Sequence, residues 1–298
     1  MKKNICILFL LLFAISFTNC NASETVSEQY ISTSDTLKIA TYNIRIKTPA
    51  DINARSWENR KAYVAQLINS NKFDVFGVQE IANSTQENDL STLLPTYSFL
   101  SKGRDNTAGT SGERISIFYN KVRFTEENSG FFFLSETPDV ASKGWDAALN
   151  RICVWMRLYD TITKKSFYFF NVHFDHMGTT ARTESAKLVI AKIKEIAGDN
   201  YVVCGGDFNA SAYETAVHAE MKLYMDDSME ISETIPTGSV GTFNGWNITL
   251  TTFTESNKID YIYCKKVQVI SYSVLNDKFV AETYPSDHFP VMIKCRMN

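Results

Sequence analysis

The feature that most constrains the fold is a repeated arrangement in which an apolar, strand-like segment ends in a carboxylate, amide or imidazole side chain. Four such segments are Leu37 to Asn43, Phe73 to Glu80, Phe167 to Phe174, whose penultimate residue is His173, and Tyr201 to Asp207. A segment with helical periodicity separates each pair, from Trp57 to about Asn71 and from Thr183 to Ala197. This alternation predicts an α/β chain in which neighbouring strand ends open into a common cleft.

The remainder of the chain continues this pattern without an internal repeat or a long linker, so we expect one domain from residue 37 to residue 298. Ser56 is a candidate N-cap for the first helix. Ser211 and Glu214 form a predicted capping box for a helix that reaches about Tyr224. Further strands are predicted at Arg114 to Asn120, Ile152 to Tyr159, Ile259 to Cys264, Val267 to Val274 and Phe289 to Cys295.

The amino terminus has the pattern of an export signal. Two lysines precede an uncharged apolar run from Ile5 to Phe17, which predicts a signal peptide over residues 1–20, followed by a polar tether over residues 21–36. The run is too short for a bilayer-spanning helix, which needs about 20 residues. Two processing routes remain open: lipid modification of Cys20, or ordinary cleavage at the small residues around Ala22. We therefore expect an exported protein that is periplasmic, secreted or anchored to a membrane through Cys20.

The charge balance excludes a broad electrostatic surface for polyanions. The chain carries 30 Lys and Arg against 33 Asp and Glu, a formal charge of −3, so we expect no stable nucleic-acid partner. A nucleic-acid substrate would need a local site. A hydrophobic content of 44%, with only 6 Pro and 13 Gly, excludes a disordered or collagen-like chain. We expect a monomer.

Four cysteines lie inside apolar runs: Cys153, Cys204, Cys264 and Cys295. Export would place them in an oxidising compartment, where disulfides can form. Because a cysteine in such a run usually serves as a small buried hydrophobic residue, we expect free thiols instead. Their spacing also lacks the close pairing of a zinc site.

The polar residues at the strand ends are the candidate functional groups. They are Asn43, Glu80, His173, Asp175, Asp207, Asn209, Asp260, Asp287 and His288. Each has a structural alternative: the Asp207 region follows two glycines and is compatible with a turn, and His173 is compatible with a buried core histidine. That alternative must be invoked separately at five strand ends, so a shared site is the better interpretation.

The motifs resemble those of the endonuclease/exonuclease/phosphatase superfamily, and the resemblance extends from Leu37 to about Arg296. In order, they are Ile39-Ala-Thr-Tyr-Asn43, Asp74-Val-Phe-Gly-Val-Gln-Glu80, Asn171-Val-His173, Gly206-Asp-Phe-Asn209, Lys258-Ile-Asp260-Tyr and Ser286-Asp-His288-Phe-Pro. The resemblance implies a two-sheet, four-layer sandwich flanked by helices, like that of pancreatic deoxyribonuclease. The Trp57-Glu-Asn-Arg60 motif and the segment from His173 to Asp175 are most similar to the deadenylase-like, secreted bacterial branch. The abasic-site nucleases normally have an acidic residue where Arg45 stands, so we do not expect that repair activity.

The resemblance also implies roles for the candidate residues. They divide into metal ligands (Asn43, Glu80, Asp287), catalytic groups (Asp207, Asn209, His173, Asp260, His288) and substrate contacts (Asp175, Arg182). The metal would be Mg²⁺ or Mn²⁺, which hard oxygen ligands suit. Asp207 would act as general base or position the attacking water, and Asn209 would hold a phosphate oxygen. His173 and His288 would donate to phosphate, with Asp260 orienting His288. Arg182 alternatively is a solvated surface charge.

Together these observations predict a divalent-metal-dependent phosphoesterase that acts outside the cytoplasm. The competing hypothesis is a non-catalytic binding module on the same fold, because fold does not determine function. The substrate is a phosphorylated small molecule, a lipid head group or a nucleic acid. Aromatic residues that could frame it are Trp57, Phe131 to Phe133, Trp145, Phe243 and Trp246. A shared site requires Glu80 and His288 to lie within about 12 Å of each other, given the short reach of catalytic hydrogen bonds.

Overall fold

The computed structural model describes residues 34–250, 252–278 and 283–298. The predicted signal peptide, residues 1–20, and most of the predicted tether, residues 21–36, lie outside the described residues. Within the described part of the chain, no helix combines the length and apolar character needed to cross a bilayer. All the described residues belong to one compact unit.

The described residues form two β-sheets and four α-helices. The strands are β1 (Leu37–Asn43), β2 (Val75–Ile81), β3 (Tyr97–Gly103), β4 (Arg114–Asn120), β5 (Phe124–Phe133), β6 (Ile152–Asp160), β7 (Lys165–His173), β8 (Tyr201–Asp207), β9 (Asp226–Asp227), β10 (Thr237–Gly238), β11 (Asp260–Lys265), β12 (Val267–Val274) and β13 (Val291–Met297). The helices are α1 (Trp57–Asn71), α2 (Ser84–Leu93), α3 (Thr179–Ala197) and α4 (Thr215–Lys222). Short 3₁₀ turns occupy Asn53–Arg55 and Glu255–Asn257.

The strand order explains why the polar motifs meet. One sheet has the order β10-β12-β13-β1-β2-β4-β3, and the other has the order β5-β6-β7-β8-β11-β9. At the centre of the first sheet, β1 and β2 are parallel, with Asn43 opposite Gln79. At the centre of the second, β7 and β8 are parallel, with His173 opposite Asp207. Because parallel strands end at the same edge, each sheet presents its polar motifs at one edge.

Three buried hydrophobic clusters correspond to the three interfaces of a four-layer sandwich. The first lies between the sheets and joins residues of both, such as Ile39 and Phe169. The second packs α3 and α4 against the six-stranded sheet, and the third packs α1 and α2 against the seven-stranded sheet. The predicted fold class is confirmed. The four cysteines are buried free thiols, as expected.

Several predicted helix boundaries are wrong, each for a physical reason. Helix α3 begins at Thr179 rather than Thr183, because the Asp146 carboxylate accepts hydrogen bonds from the backbone N–H groups of Thr180 and Ala181. This cap comes from more than thirty residues away and has no local signal. Ser56 precedes α1, but its hydroxyl donates to the Asn53 carbonyl instead of capping the helix.

The predicted capping box does not form. Helix α4 begins at Thr215, and the side chain of Glu214 makes no cap bond because it accepts hydrogen bonds from Arg182. The sequence also gave no indication of α2 or β5. Helix α2 is mostly polar and buries only Gln86 and Leu90 of its ten residues. Strand β5 exposes four consecutive residues of its middle, so the alternation that marks a half-buried strand is missing.

Candidate active site

Asp207 is the centre of the candidate site. It ends β8 and is almost fully buried. Its Oδ1 accepts a hydrogen bond from the Asn209 backbone N–H at 2.8 Å, and its Oδ2 accepts one from Asn43 Nδ2 at 3.0 Å. The same Oδ2 lies 3.6 Å from His173 Nε2 and 3.9 Å from His288 Nε2. One carboxylate therefore faces two imidazoles, one at the end of β7 and the other in the segment before β13.

The seven-stranded sheet contributes Asn43 and Glu80. The pairing of β2 with β4 shifts register between Val78 and Ile81, as in a β-bulge. Glu80 lies within this irregular stretch and has a φ of 64°, so the regular alternation of side chains is interrupted there. Glu80 Oε1 accepts from Asn43 Nδ2 at 2.9 Å, and Oε2 accepts from the Ile46 backbone N–H at 3.0 Å. The Asn43 amide thus orients the carboxylates of Glu80 and Asp207 together.

A buried amide network joins the two sheets beneath these residues. Gln79 Nε2 donates to Thr41 Oγ1 at 2.9 Å and to Asn171 Oδ1 at 2.6 Å. Asn171, from β7, also donates to the carbonyls of Val78 at 3.1 Å and Ser116 at 2.9 Å. A Cβ at Gly77 would lie 2.6 Å from Asn171 Oδ1, so only glycine leaves room for this amide.

His288 is held by Asp260 in a buried ion pair. His288 Nδ1 lies 2.9 Å from Asp260 Oδ2, which also accepts a hydrogen bond from Thr242 Oγ1 at 2.6 Å. Burial disfavours the imidazolium, but the negative charge and hydrogen bond of Asp260 outweigh it and raise the pKa of His288 to about 10. At neutral pH His288 is therefore positively charged, with Nε2–H directed at the side of the site where Asp207 lies.

His173 has the opposite electrostatic environment. Burial, reinforced by the positive charge of Arg151, lowers the pKa of His173 to about 3, so this imidazole is neutral at pH 7. Its Nδ1 lies 3.2 Å from Glu113 Oε1. Glu113 in turn contacts Arg104 Nη1 at 2.8 Å. The two imidazoles beside Asp207 thus have different charges and can serve different roles.

Sequence reasoning missed Glu113, Arg104 and Arg151. Arg151 lies 3.4 Å from Asp175 through Nε, while its Nη1 is buried and has no hydrogen-bond partner. None of the three belongs to a strand-end motif. Arg151 immediately precedes β6, where the apolar run that begins at Ile152 is the available signal for a strand-end position.

Asp287 and Arg45 form another side of the site. Asp287 Oδ2 lies 3.6 Å from Arg45 Nη1. Burial raises the pKa of Asp287. The neighbouring Ser286 hydroxyl donates to the Asn43 carbonyl at 2.7 Å, which fixes the Ser286-Asp287-His288 segment against the end of β1.

Asp175 and Arg182 contact each other rather than the Asp207 cluster. The Asp175 carboxylate accepts hydrogen bonds from the backbone N–H groups of Ala148, Leu149, Met177 and Gly178. Arg182 donates to the Asp175 carbonyl at 3.1 Å and pairs with Glu214 at 2.6 Å. Arg182 is buried, so the alternative of a solvated surface charge is wrong. Their roles as substrate contacts stay predictions. The observed contacts fasten the loop before β6 and the start of α3 beside His173.

The donor set fits a hard divalent cation. Glu80, His173 and Asp207 have potential ligand atoms within 4.8 Å of one another, and so do Asp207, Asp260 and His288. Glu80 and His288 therefore meet around one carboxylate, as the shared site requires. The oxygen-rich first group suits Mg²⁺ or Mn²⁺. Asn43 presents its N–H₂ to this group while its Oδ1 accepts from the Arg45 backbone, so its role as a ligand stays a prediction.

The remaining catalytic prediction concerns Asn209. This residue has a φ of 47°, a left-handed conformation that asparagine tolerates. Its Nδ2 donates to the Phe174 carbonyl at 3.0 Å, and its backbone N–H donates to Asp207. The structure places Asn209 directly beside Asp207, and its predicted contact with a phosphate oxygen stays a prediction.

Comparison with known proteins agrees with this geometry. A model of the Endonuclease/Exonuclease/phosphatase family matches residues 40–288. An endonuclease/exonuclease/phosphatase family protein of Bacteroides thetaiotaomicron is 38% identical, with a TM-score of 0.80 over 87% of this chain and 97% of that one. A mannosyl-6-phosphatase of Bacteroides thetaiotaomicron VPI-5482 is 38% identical, with a TM-score of 0.80 over 87% and 99%. A Bacteroides vulgatus structure is 34% identical, with a TM-score of 0.81 over 88% and 99%. The chain belongs to the endonuclease/exonuclease/phosphatase family.

Proposed function

We propose that the protein is a divalent-metal-dependent phosphatase whose substrate is a phosphorylated sugar. The observation that carries this proposal is the position of Asp207 between a protonated His288 and a neutral His173, next to the Glu80 carboxylate. This arrangement supplies a base, a cationic donor and a metal ligand within one buried cluster. The sugar phosphate is suggested by the 38% identity to a mannosyl-6-phosphatase over 99% of that chain.

Each residue has a task in phosphoester hydrolysis. Glu80 and Asp287, with Asn43 beside them, would hold Mg²⁺ or Mn²⁺, which supplies charge compensation for the non-bridging phosphate oxygens. His288 donates its Nε2–H to a phosphate oxygen as negative charge develops, and Asp260 fixes the ring by binding Nδ1. Asp207 accepts the proton of the attacking water. Burial and the negative charge of Asp260 raise the pKa of Asp207, which makes it a stronger base than an exposed aspartate.

The neutral His173 completes the site. It retains one ring nitrogen as donor and the other as acceptor, because an uncharged imidazole carries a single N–H. With Glu113 at Nδ1, the Nε2 edge faces Asp207 and the substrate side. The Glu113 carboxylate favours the hydrogen on Nδ1, so Nε2 can accept a hydrogen bond from the attacking water without adding a second positive charge next to a bound cation.

The competing binding-module hypothesis predicts that these groups would be incomplete or dispersed. Instead, Asp207, Asp260 and His288 have ligand atoms within 4.8 Å of one another, and Glu80 adjoins them through Asp207. A binding module needs neither a buried general base nor a histidine held in its charged form. We therefore favour catalysis.

We further propose that the protein is a monomer, that it has no stable nucleic-acid partner, and that residues 1–20 direct its export.

Phosphate release tests the proposed function. Purified protein is freed of metal with EDTA and assayed with mannose 6-phosphate, a phosphodiester and single-stranded DNA, each with and without Mg²⁺ or Mn²⁺. We expect release from the sugar phosphate, its loss in EDTA and its recovery with either cation. Asp207→Asn should be inactive, whereas Asp199→Asn, the same change at an exposed aspartate paired with Lys266, should be fully active. Full activity without metal, or activity only on DNA, contradicts the proposal.

The export proposal has its own test. Expression of the full chain with radiolabelled palmitate should label the wild type and not Cys20→Ser if the lipid-anchored form is produced. Cleavage without lipid would give an unlabelled protein in the soluble extracytoplasmic fraction from both. Retention of the uncleaved chain in the cytoplasm would contradict export by either route.

A further inference from the structure

Arg45 is held in an unfavourable backbone conformation at the edge of the site. It follows β1 by two residues and has a φ of 61°, in the left-handed region that a non-glycine residue rarely adopts. Its N–H donates to Asn43 Oδ1 at 3.0 Å. Its carbonyl accepts from Arg60 Nη2 at 2.6 Å and from Gln86 Nε2 at 3.0 Å. Strained conformations of this kind persist where the surroundings fix them, and they concentrate at functional sites.

The Arg45 side chain is fixed as firmly as its backbone. Its Nε and Nη2 donate to the two oxygens of Asp51, at 2.9 and 3.3 Å, so Asp51 binds the planar guanidinium in a bidentate pair. The remaining nitrogen, Nη1, lies 3.6 Å from Asp287 Oδ2. Asp51 thus determines which way the positive charge points, and that direction is towards the acidic part of the site.

This placement puts a permanent cation among the groups proposed to bind metal. Asp287 and Glu80 both interact electrostatically with the Arg45 guanidinium. A guanidinium remains charged at any pH at which the protein is folded. Like charges a few ångströms apart still repel substantially at the effective dielectric constant of a protein surface. A fixed guanidinium beside Asp287 Oδ2 therefore opposes the entry of an additional divalent cation there, next to the ion that Glu80 and Asp287 are proposed to hold.

We propose that the Arg45–Asp51 pair is a positioning element that limits the site to one divalent cation. The guanidinium supplies beside Asp287 the positive charge that a second ion would otherwise bring. This inference rests on the metal dependence proposed above, but it concerns the number of ions rather than the reaction. Arg45 and Asp51 lie outside the polar motifs at the strand ends, so the sequence assigns neither of them a role in the site.

The test is the stoichiometry of Mn²⁺ binding to metal-free protein, measured by titration calorimetry and by electron paramagnetic resonance. The wild type should bind one Mn²⁺ and give the spectrum of an isolated ion. Arg45→Gly removes the charge at a φ that glycine adopts without strain. Arg45→Asp replaces it with a residue that also tolerates this conformation. Both variants should bind two Mn²⁺, and Arg45→Asp should show exchange coupling between neighbouring ions.

Two further variants separate a specific effect from a general one. Lys47→Ala removes the same formal charge nearby, but Lys47 pairs with Glu58 on the surface, so it should still bind one ion. Asp51→Asn leaves the backbone of residue 45 unchanged and releases the guanidinium, so it should admit a second ion at least about tenfold more tightly than the wild type does. Thermal melting of each variant checks the fold. If both Arg45 variants unfold, the number of Mn²⁺ ions bound by Asp51→Asn tests the proposal instead.

Each outcome is informative. Two ions in the wild type, or one ion in the folded Arg45 variants, would overturn the inference while leaving the proposed function intact. A second ion in Lys47→Ala would also overturn it, because net charge would then be the cause. Failure of the wild type to bind any Mn²⁺ would refute the proposed metal dependence and this inference with it. A lower melting temperature with unchanged stoichiometry would show that Arg45 is only structural.

Discussion

Replacement of Asp260 by asparagine tests whether the site uses the charge on His288. Burial alone would lower the pKa of this histidine, but Asp260, with Oδ2 at 2.9 Å from Nδ1, raises it from 6.5 to about 10. At 1.36 kcal/mol per pKa unit, this change corresponds to roughly 5 kcal/mol of stabilisation of the imidazolium. In Asp260→Asn the largest attraction and its hydrogen bond are lost, whereas burial and the attractions of Asp207 and Asp287 remain. We therefore expect the pKa of His288 to fall, so that a smaller fraction of it is charged at pH 8.

The expected kinetic loss follows from that change of charge. A neutral imidazole binds a developing phosphate oxyanion far less well than an imidazolium, so kcat should fall by about 10² to 10⁴, the range for a positioned acid–base group. His288→Ala should lose a similar factor. Because both residues act as one unit, the double variant should be little slower than His288→Ala alone.

The assay is phosphate release between pH 6 and pH 11, with melting temperatures recorded for each variant. The wild-type rate should persist until the pH approaches about 10 and then fall as His288 loses its proton. In Asp260→Asn the decline should begin at a clearly lower pH than in the wild type, because the largest attraction that holds the proton on His288 is lost. Thr242→Val, which removes the 2.6 Å hydrogen bond to Asp260 but keeps its charge, should lose much less. Two results would contradict this prediction: additive losses of kcat in the double variant, or a decline of the Asp260→Asn rate at the same high pH as in the wild type.

The same pKa has a consequence for stability. Since the pKa of His288 is higher in the folded chain than in the unfolded chain, the ion pair contributes its full stability below the unfolded value of 6.5. That contribution should be lost progressively as the pH rises through about 10. Urea unfolding of the wild type and Asp260→Asn at pH 6 and pH 10 should therefore show a larger difference between the two proteins at pH 6.

Three other predictions follow from the described contacts. Glu80→Gln should bind Mn²⁺ more weakly by calorimetry and lower kcat, because an amide oxygen replaces a carboxylate ligand; unchanged affinity would place the metal elsewhere. Glu113→Gln should lower kcat about tenfold with little change in melting temperature, since it removes the negative charge that lies 3.2 Å from His173 Nδ1; equal activity would leave Glu113 without a catalytic role. Arg182→Met should reduce the free energy of unfolding by about 2 kcal/mol, because it breaks the charged hydrogen bonds of the buried Arg182 with the partly exposed Glu214, and leave KM unchanged; a large rise in KM would instead support the predicted substrate contact.

Much of the sandwich was predictable because its central strands are buried on both faces. Strands β1, β7, β8 and β11 are predicted from apolar segments, and their bounds agree with the predicted ones to within two residues. At one edge of the sandwich these strands carry buried polar residues, Asn43, His173, Asp207 and Asp260, which interrupt the apolar pattern in the sequence. The central site groups were therefore identifiable from the sequence.

The rest could not be predicted because its cause lies elsewhere in the chain. Glu113 lies beside His173 although it is sixty residues earlier in the chain, and its position before the predicted strand from Arg114 does not indicate that contact. The early start of α3 depends on Asp146, and the failed capping box depends on the pairing of Glu214 with Arg182. Arg45 could be recognised as a departure from the abasic-site pattern. Its attachment to Asp51 and Asp287 required the three-dimensional structure.

The buried amides beneath the site determine how activity is lost when the protein is heated. Glu80 belongs to one sheet and Asp207 to the other, so the chemistry exists only while the two halves keep their alignment. The hydrogen bonds of Gln79 and Asn171 hold the two sheets in this alignment, because a shift of one sheet by one residue relative to the other would leave several buried amide groups unpaired. The sheets therefore cannot slide by small steps. Catalytic competence should disappear together with the whole sandwich in one cooperative event, rather than through gradual loosening of the site.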